Sequence, residues 1–124
     1  IQEYIPGGDR DSVQFVLDRN GELRFLFHKK RIRKLRVTAR YGTVSESAKP
    51  ESYVADMARI INRVGWWGAM GIETIRDPRD GSRKLMEINP RFPRQLWNRL
   101  ELGINEPLMC VNIAMDRPVE SVEE

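Results

Sequence analysis

Two short runs, Met70-Gly71-Ile72-Glu73-Thr74-Ile75 and Lys84-Leu85-Met86-Glu87-Ile88-Asn89, flank the segment Asp77-Pro78-Arg79-Asp80-Gly81. Proline early and Asp-Gly late make a turn, and the runs on either side make it a β-hairpin. Pro90 ends the second strand because it has no N–H to give to a ladder. Side chains repeat every second residue along a strand, so Glu87 and Asn89 share one face and Met86 and Ile88 the other. Glu73 and Glu87 are equidistant from Asp80, so a hairpin centred there sets the two carboxylates opposite each other. Facing like charges destabilise a hairpin unless a cation neutralises them. The pairing depends on register, which one bulge would change. By spacing alone, two solvated glutamates on an exposed face are the plainer account. Arg91 follows at once, however, and hard oxygen ligands beside a planar cation suit a magnesium-bound phosphate.

The rest of the chain reads as short elements. Gln2 to Ile5 is a short strand, followed by the polar loop Pro6-Gly7-Gly8-Asp9-Arg10-Asp11. Ser12 to Leu17 and Glu22 to His28 flank Asn20-Gly21, the strongest short-range hairpin signal. Thr38 to Ala48, with Gly42 and small polar residues, reads as a loop. A helix opens at Lys49-Pro50-Glu51-Ser52, carries Val54, Met57, Ala58, Ile61 and Val64 at helical spacing, and ends at Gly65. Arg94 to Leu102 forms a short helix with Leu96, Trp97 and Leu100 on one side. Asn105 caps a last helix, with Glu106-Pro107 in its first turn, that runs to about Asp116. Pro118 to Glu124 is a frayed acidic tail. Two hairpins with helices between and after them define an α+β architecture: a mostly antiparallel sheet with helices packed on one face.

Glu87-Ile88-Asn89-Pro90-Arg91, with Glu73 on the hairpin partner, resembles the metal-binding end of the ATP-grasp superfamily. That superfamily includes biotin carboxylase, carbamoyl phosphate synthetase and other carboxylate–amine ligases. The resemblance implies that Glu73, Glu87 and Asn89 hold Mg²⁺ (or Mn²⁺) on the phosphates of ATP, with Arg91 near the γ-phosphate and the acyl phosphate. Gln2-Glu3-Tyr4-Ile5 resembles the hinge strand whose backbone contacts adenine. An aspartate just after it, Asp9 or Asp11, is implied as a ribose contact, and Asp11 is taken for that role. Within the basic stretch, Lys34 and Arg36 are implied as contacts for phosphate or an anionic substrate. The resemblance covers nearly the whole chain and matches the C-terminal subdomain, residues 1–118, with 119–124 as tail. Its implied partners are a small carboxylate, a nucleophile and the N-terminal subdomain of the same parent chain. A homodimer is compatible with it. Residues 91–98 differ from biotin carboxylase, so biotin chemistry is not implied.

At 124 residues the chain holds at most one domain. It opens at Ile1, inside an expected strand, with no initiating Met and no signal pattern, and reads as a piece of a longer protein. No run is long and apolar enough to span a bilayer. The single cysteine, Cys110, fits a reducing cytoplasm and, among Leu108, Met109 and Val111, a core position. One cysteine and one histidine exclude a Cys/His metal cluster. His28, beside lysines, is expected at the surface, and Trp66-Trp67 between helix and sheet. Arg94 and Gln95 face either a substrate or the helix surface.

The net charge of +3 is local. Lys29, Lys30, Arg31, Arg33, Lys34 and Arg36 supply six positive charges, so the remainder is net acidic. Attraction of the whole surface to nucleic acid is therefore weak. The leading expectation is an ATP-dependent ligase that activates a carboxylate as an acyl phosphate, the isolated piece being inactive. The rivals are a nucleotide-binding module without turnover and, less favoured, a nucleic-acid module using residues 29–36.

Overall fold

In a computed structural model describing residues 1–34 and 42–123, strand β1 (Arg10–Leu17) is the centre of the sheet. Its Val13 and Phe15 point to one side, while Ser12, Gln14 and Val16 point to the other. It pairs antiparallel with β2 (Leu23–Lys34) and with β4 (Gly68–Arg76). β2 pairs with β3 (Gly42–Ser47), and β4 with β5 (Arg83–Asn89), giving the order β3-β2-β1-β4-β5.

Helix α1 (Ser52–Arg63) lays Val54 and Ile61 on the face formed by Val13, Phe15, Leu26, Met70 and Ile72. The expected spacing holds, with Met57 and Ala58 packed beside them, although Pro50 and Glu51 precede the helix instead of forming its first turn. Gly65, at φ +71°, takes the left-handed conformation that follows it. Val16, Phe25 and Ala69 point away from α1 and need a cover of their own. Ile104 and Ile113 supply it, the latter from α3 (Glu106–Ala114). The class is thus α+β on an antiparallel sheet, as expected, but helices cover both faces and not one. Apolar residues on both sides of the central strands require two layers.

The Asn20-Gly21 hairpin forms, with Gly21 at φ +78° and the Asp18 carboxylate accepting the Asn20 and Glu22 N–H groups, each at 2.9 Å. The Asp80-Gly81 hairpin is tied by Asp77. Its carboxylate accepts from the Arg79 N–H and guanidinium, and its carbonyl from Gly81 N–H. Those Arg79 hydrogen bonds hold the Asp77 carboxyl at about 2, below its usual 3.8. A depressed carboxylate contributes stability that is complete above the unfolded value and lost as pH falls through the folded one. Asp77→Asn is therefore expected to lower the urea midpoint at pH 7. It should also flatten the decline in stability between about pH 5 and 2, so that variant and wild type converge at the acid end. Urea titrations across that range check this.

Four expectations change. Gln2 to Ile5 is not a strand, because among the described residues it has no strand neighbour; Gln2 instead donates a side-chain hydrogen bond to the Met86 carbonyl (2.8 Å). Residues 42–47, read as loop, are edge strand β3. Its short polar sequence hides a strand that β2 templates. Helix α2 (Leu96–Glu101) buries Arg99, while Trp97 and Leu100 are exposed. The tail is partly docked, as Val122–Glu123 (β6) pairs parallel with Phe25–Leu26.

Asn105 caps α3 as expected, accepting the Leu108 N–H at 3.0 Å. Cys110 is half-buried against the α3-side core, and burial raises its thiol pKa. Trp66 packs against the α1-side core. Trp67 is half-exposed beneath the Arg19 guanidinium. Among the described residues no helix is long and apolar enough to cross a membrane.

Candidate functional site

The sheet registers gather the polar residues of one face into rows. Ser47, Lys29, Ser12, Glu73 and Glu87 lie side by side across β3, β2, β1, β4 and β5. The next row on that face holds Phe27, Gln14, Gly71 and Asn89. The expected Glu73–Glu87 pairing is present, by a route the turn alone does not reveal. From the turn outward, Arg76 pairs with Arg83, Ile75 with Lys84 and Thr74 with Leu85. A bulge then skips Met86 and brings Glu87 opposite Glu73. Without the bulge Glu73 would face Met86. The carbonyl of Met86 is the one that accepts the Gln2 side chain, so the bulge also ties the start of the chain to β5.

Glu73 is half-buried and Glu87 exposed. Among the described residues neither forms an ion pair, and the charge that partly offsets Glu73 is the Lys29 ammonium across β1. Asn89 lies opposite Gly71, where a Cβ would come within 2.6 Å of Gln14 Nε2; the glycine leaves room for that side chain. Arg91 Nη2 donates to Asn89 Oδ1 at 2.8 Å, and the Arg91 N–H donates to the Asn89 carbonyl at 2.8 Å. Two carboxylates and an amide oxygen on one face form a hard donor set that fits Mg²⁺ or Mn²⁺. Among the described residues no group of three or more His, Cys, Asp or Glu is gathered for a metal, so Asn89 would have to serve as the third ligand.

The other expected site residues divide. Glu3 is exposed and paired with Arg79 (2.5 Å), Tyr4 is exposed and Ile5 half-buried. Lys34 closes β2 opposite Gly42. Its side chain and all of Arg36 lie outside the described residues. Asp11 is set apart from the site. Strand alternation turns it to the α1 face, where it is buried against Arg83 Nη2 (2.5 Å) and His28 Nε2 (3.2 Å). A ribose on the Glu73 face is out of its reach. The same alternation buries His28, expected at the surface, with Tyr53 Oη and the Lys49 carbonyl as further partners. Lys30 and Arg76 join this cluster through Glu51. Among the described residues the basic stretch is therefore split between the two faces of the sheet, with Lys30 on one and Lys29 and Arg31 on the other, so these three do not form a single basic stripe.

The sequence reading missed Lys29, Arg31 and Arg99. Lys29 is half-buried, and its ammonium pKa is lowered by that burial and by the positive charges of Arg99 and Arg31, with Glu73 opposing. Its Nζ donates to Gln95 Oε1 at 2.9 Å, which places Gln95 beside Lys29. Arg99 is buried against Glu106 and lies 5.3 Å over the Phe27 ring. Counting alternate residues from Phe27 would have assigned Lys29 and Arg31 to the site face. No local signal marks Arg99, whose neighbours Leu96, Trp97 and Leu100 are the more apolar candidates for burial.

The sequence profile of the ATP-grasp domain matches residues 1–94. The chain belongs to the ATP-grasp family. No curated protein sequence matches it. Solved structures share its fold. Biotin carboxylase from Campylobacter jejuni, as a β-γ-ATP complex, is 16% identical; the match covers 97% of this chain and 28% of that one, with a TM-score of 0.72. N5-carboxyaminoimidazole synthetase from Staphylococcus aureus, complexed with ADP, is 12% identical over 98% of this chain and 34% of that one (TM-score 0.72). The biotin carboxylase domain of 2-oxoglutarate carboxylase from Hydrogenobacter thermophilus, complexed with MgADP and bicarbonate, is 19% identical over 97% and 28% (TM-score 0.71). The chain thus spans about a third or less of each of these proteins, and at such identities the likeness is one of fold.

Proposed function

We propose that this chain is the C-terminal half of the nucleotide site of an ATP-dependent carboxylate ligase. Residues 1–118 would be the subdomain, completed by an N-terminal subdomain of the same parent chain in the cytoplasm. The observation that carries this reading is the facing pair Glu73 and Glu87, with Asn89 one row on and Arg91 bonded to it.

The reaction class is transfer of the ATP γ-phosphate to a substrate carboxylate, giving ADP and an acyl phosphate. An amine or similar nucleophile then attacks the acyl carbon and releases phosphate. Bound Mg²⁺ would neutralise phosphate charge as it shifts between oxygens. Glu73, Glu87 and the Asn89 amide oxygen would hold that ion. Arg91, steadied through Asn89, presents a guanidinium to the transferring group, with Lys34 and Arg36 assigned to the same anionic centre. Gln2, Glu3, Tyr4 and Ile5 would form the adenine side. None of these residues needs to move a proton. Positioning and fixed charge lower the barrier.

Full-length protein incubated with Mg-ATP, a panel of carboxylates and hydroxylamine is expected to give a hydroxamate and ADP in equal amounts with the true substrate. Tight Mg-ATP binding with no ADP from any carboxylate would identify the nucleotide-binding module without turnover instead.

A further inference from the structure

A groove of about 360 Å³ lies between β2–β3 and α2, on the same sheet face as Glu73 and Glu87. Phe27 and Leu102 give it apolar wall, Ser45, Ser47 and Asn98 give it hydrogen-bonding wall, and Lys29 and Arg99 enter it. Its cations are incompletely paired. Glu106 answers Arg99, but among the described residues no carboxylate lies within ion-pair distance of Lys29 or Arg31. The Lys29 ammonium has only the neutral Gln95 amide as partner. Arg31 lies one alternate position beyond Lys29 on the same face, opposite Ser45. Arg31 Nη1 and Arg99 Nη2 are both buried without a hydrogen-bond partner, as is Oε2 of the Glu106 carboxylate whose other oxygen takes the Arg99 Nε–H. Glu46 of β3 also lines the groove and stands opposite Lys30 in the strand register, but Lys30 takes Glu51 as its ion-pair partner and among the described residues Glu46 forms no ion pair with Lys29 or Arg31. Half-burying an ammonium between two guanidiniums is unfavourable unless an anion joins them.

We propose that this groove is a subsite for the acid group of a small organic-anion substrate, with Lys29 and Arg99 as its contacts and Arg31 reinforcing the field. The inference rests on the ligase reading only for calling that anion the substrate. If the metal pair holds the phosphates, Lys29 is two strands from Glu73 and three from Glu87. At about 4.8 Å per strand the backbone of Lys29 lies roughly 10 Å from that of Glu73 and roughly 14 Å from that of Glu87, so the groove sits beside the metal pair along the same face. An anion in the groove is taken as a second one, which the comparison with Mg-ADP tests. The apolar wall and the size of the groove favour a compact organic acid over inorganic phosphate.

Limiting acetylation of folded full-length protein tests this. Lys29 acetylation would be mapped by mass spectrometry in chloride, in succinate, glutamate or benzoate at matched ionic strength, and in Mg-ADP. At least one organic acid is expected to slow acetylation of Lys29 by about fivefold or more and leave exposed Lys49 unchanged, while Mg-ADP does not. Lys29→Met should weaken binding of that acid by about tenfold in calorimetry, and Lys29→Arg should restore most of it, with Mg-ADP affinity within about twofold in both. Protection by Mg-ADP as strong as by the acids would overturn the proposal, because the groove would then hold nucleotide phosphate. Protection by none of the acids would overturn it too. If acids protect Lys29 but Mg-ATP fails to bind, the anion site stands and the ligase reading falls.

Discussion

Glu87→Gln is expected to leave a protein that is slightly more stable and nearly inert. Glu87 faces Glu73 across β4 and β5, and among the described residues no cation sits at ion-pair distance from either. Removing one of two facing like charges relieves about 0.2–1 kcal/mol of cross-strand repulsion. Glutamine keeps the shape and an oxygen but loses the charge that Mg²⁺ needs. ATP turnover by full-length protein should fall by about 10²–10³-fold, the scale seen when one preorganised charge-stabilising group is lost from a reacting centre. A urea midpoint that rises as turnover collapses is the paired signature, and it separates loss of chemistry from loss of fold. A fall in both together would mean that Glu87 serves the structure.

Asp11→Asn should do the reverse. The carboxylate is buried on the α1 face between Arg83 and His28, and the Arg83 guanidinium lies 5.4 Å over the Tyr53 ring. An amide leaves that buried guanidinium without its closest anion, and breaking a buried pair costs about 3–5 kcal/mol. That is a large part of the stability of a domain this size. Affinity for Mg-ATP, measured where the variant is still folded, should stay within about twofold of wild type, since Asp11 points away from the Glu73 face. Unchanged stability with weakened nucleotide binding would restore the ribose role for Asp11.

These two residues also show what the sequence makes legible. The hairpins were readable because Asn20-Gly21 and Asp77–Gly81 carry turn chemistry that acts locally. The Glu73–Glu87 pairing was readable from spacing, although it depends on a bulge at Met86 that no residue there announces. Asp11 and His28 were misjudged for one reason: polar residues on a central strand were read by type and not by face. Alternation from Val13 turns Asp11 inward, and the antiparallel register pairs Val13 with His28 on the same side. β3 was missed because an edge strand of small polar residues takes its structure from its neighbour. Arg99 was missed because its burial depends on Glu106, which lies on another helix.

The central claim is that Glu73, Glu87 and Asn89 form a magnesium–phosphate site. Calorimetric titration of ATP into full-length wild-type and Glu87→Gln protein, each with and without Mg²⁺, tests it most directly. The account predicts binding to wild type that requires Mg²⁺ and is lost in the variant. ATP binding that is indifferent to both Mg²⁺ and Glu87, or no binding to folded wild type, would contradict it.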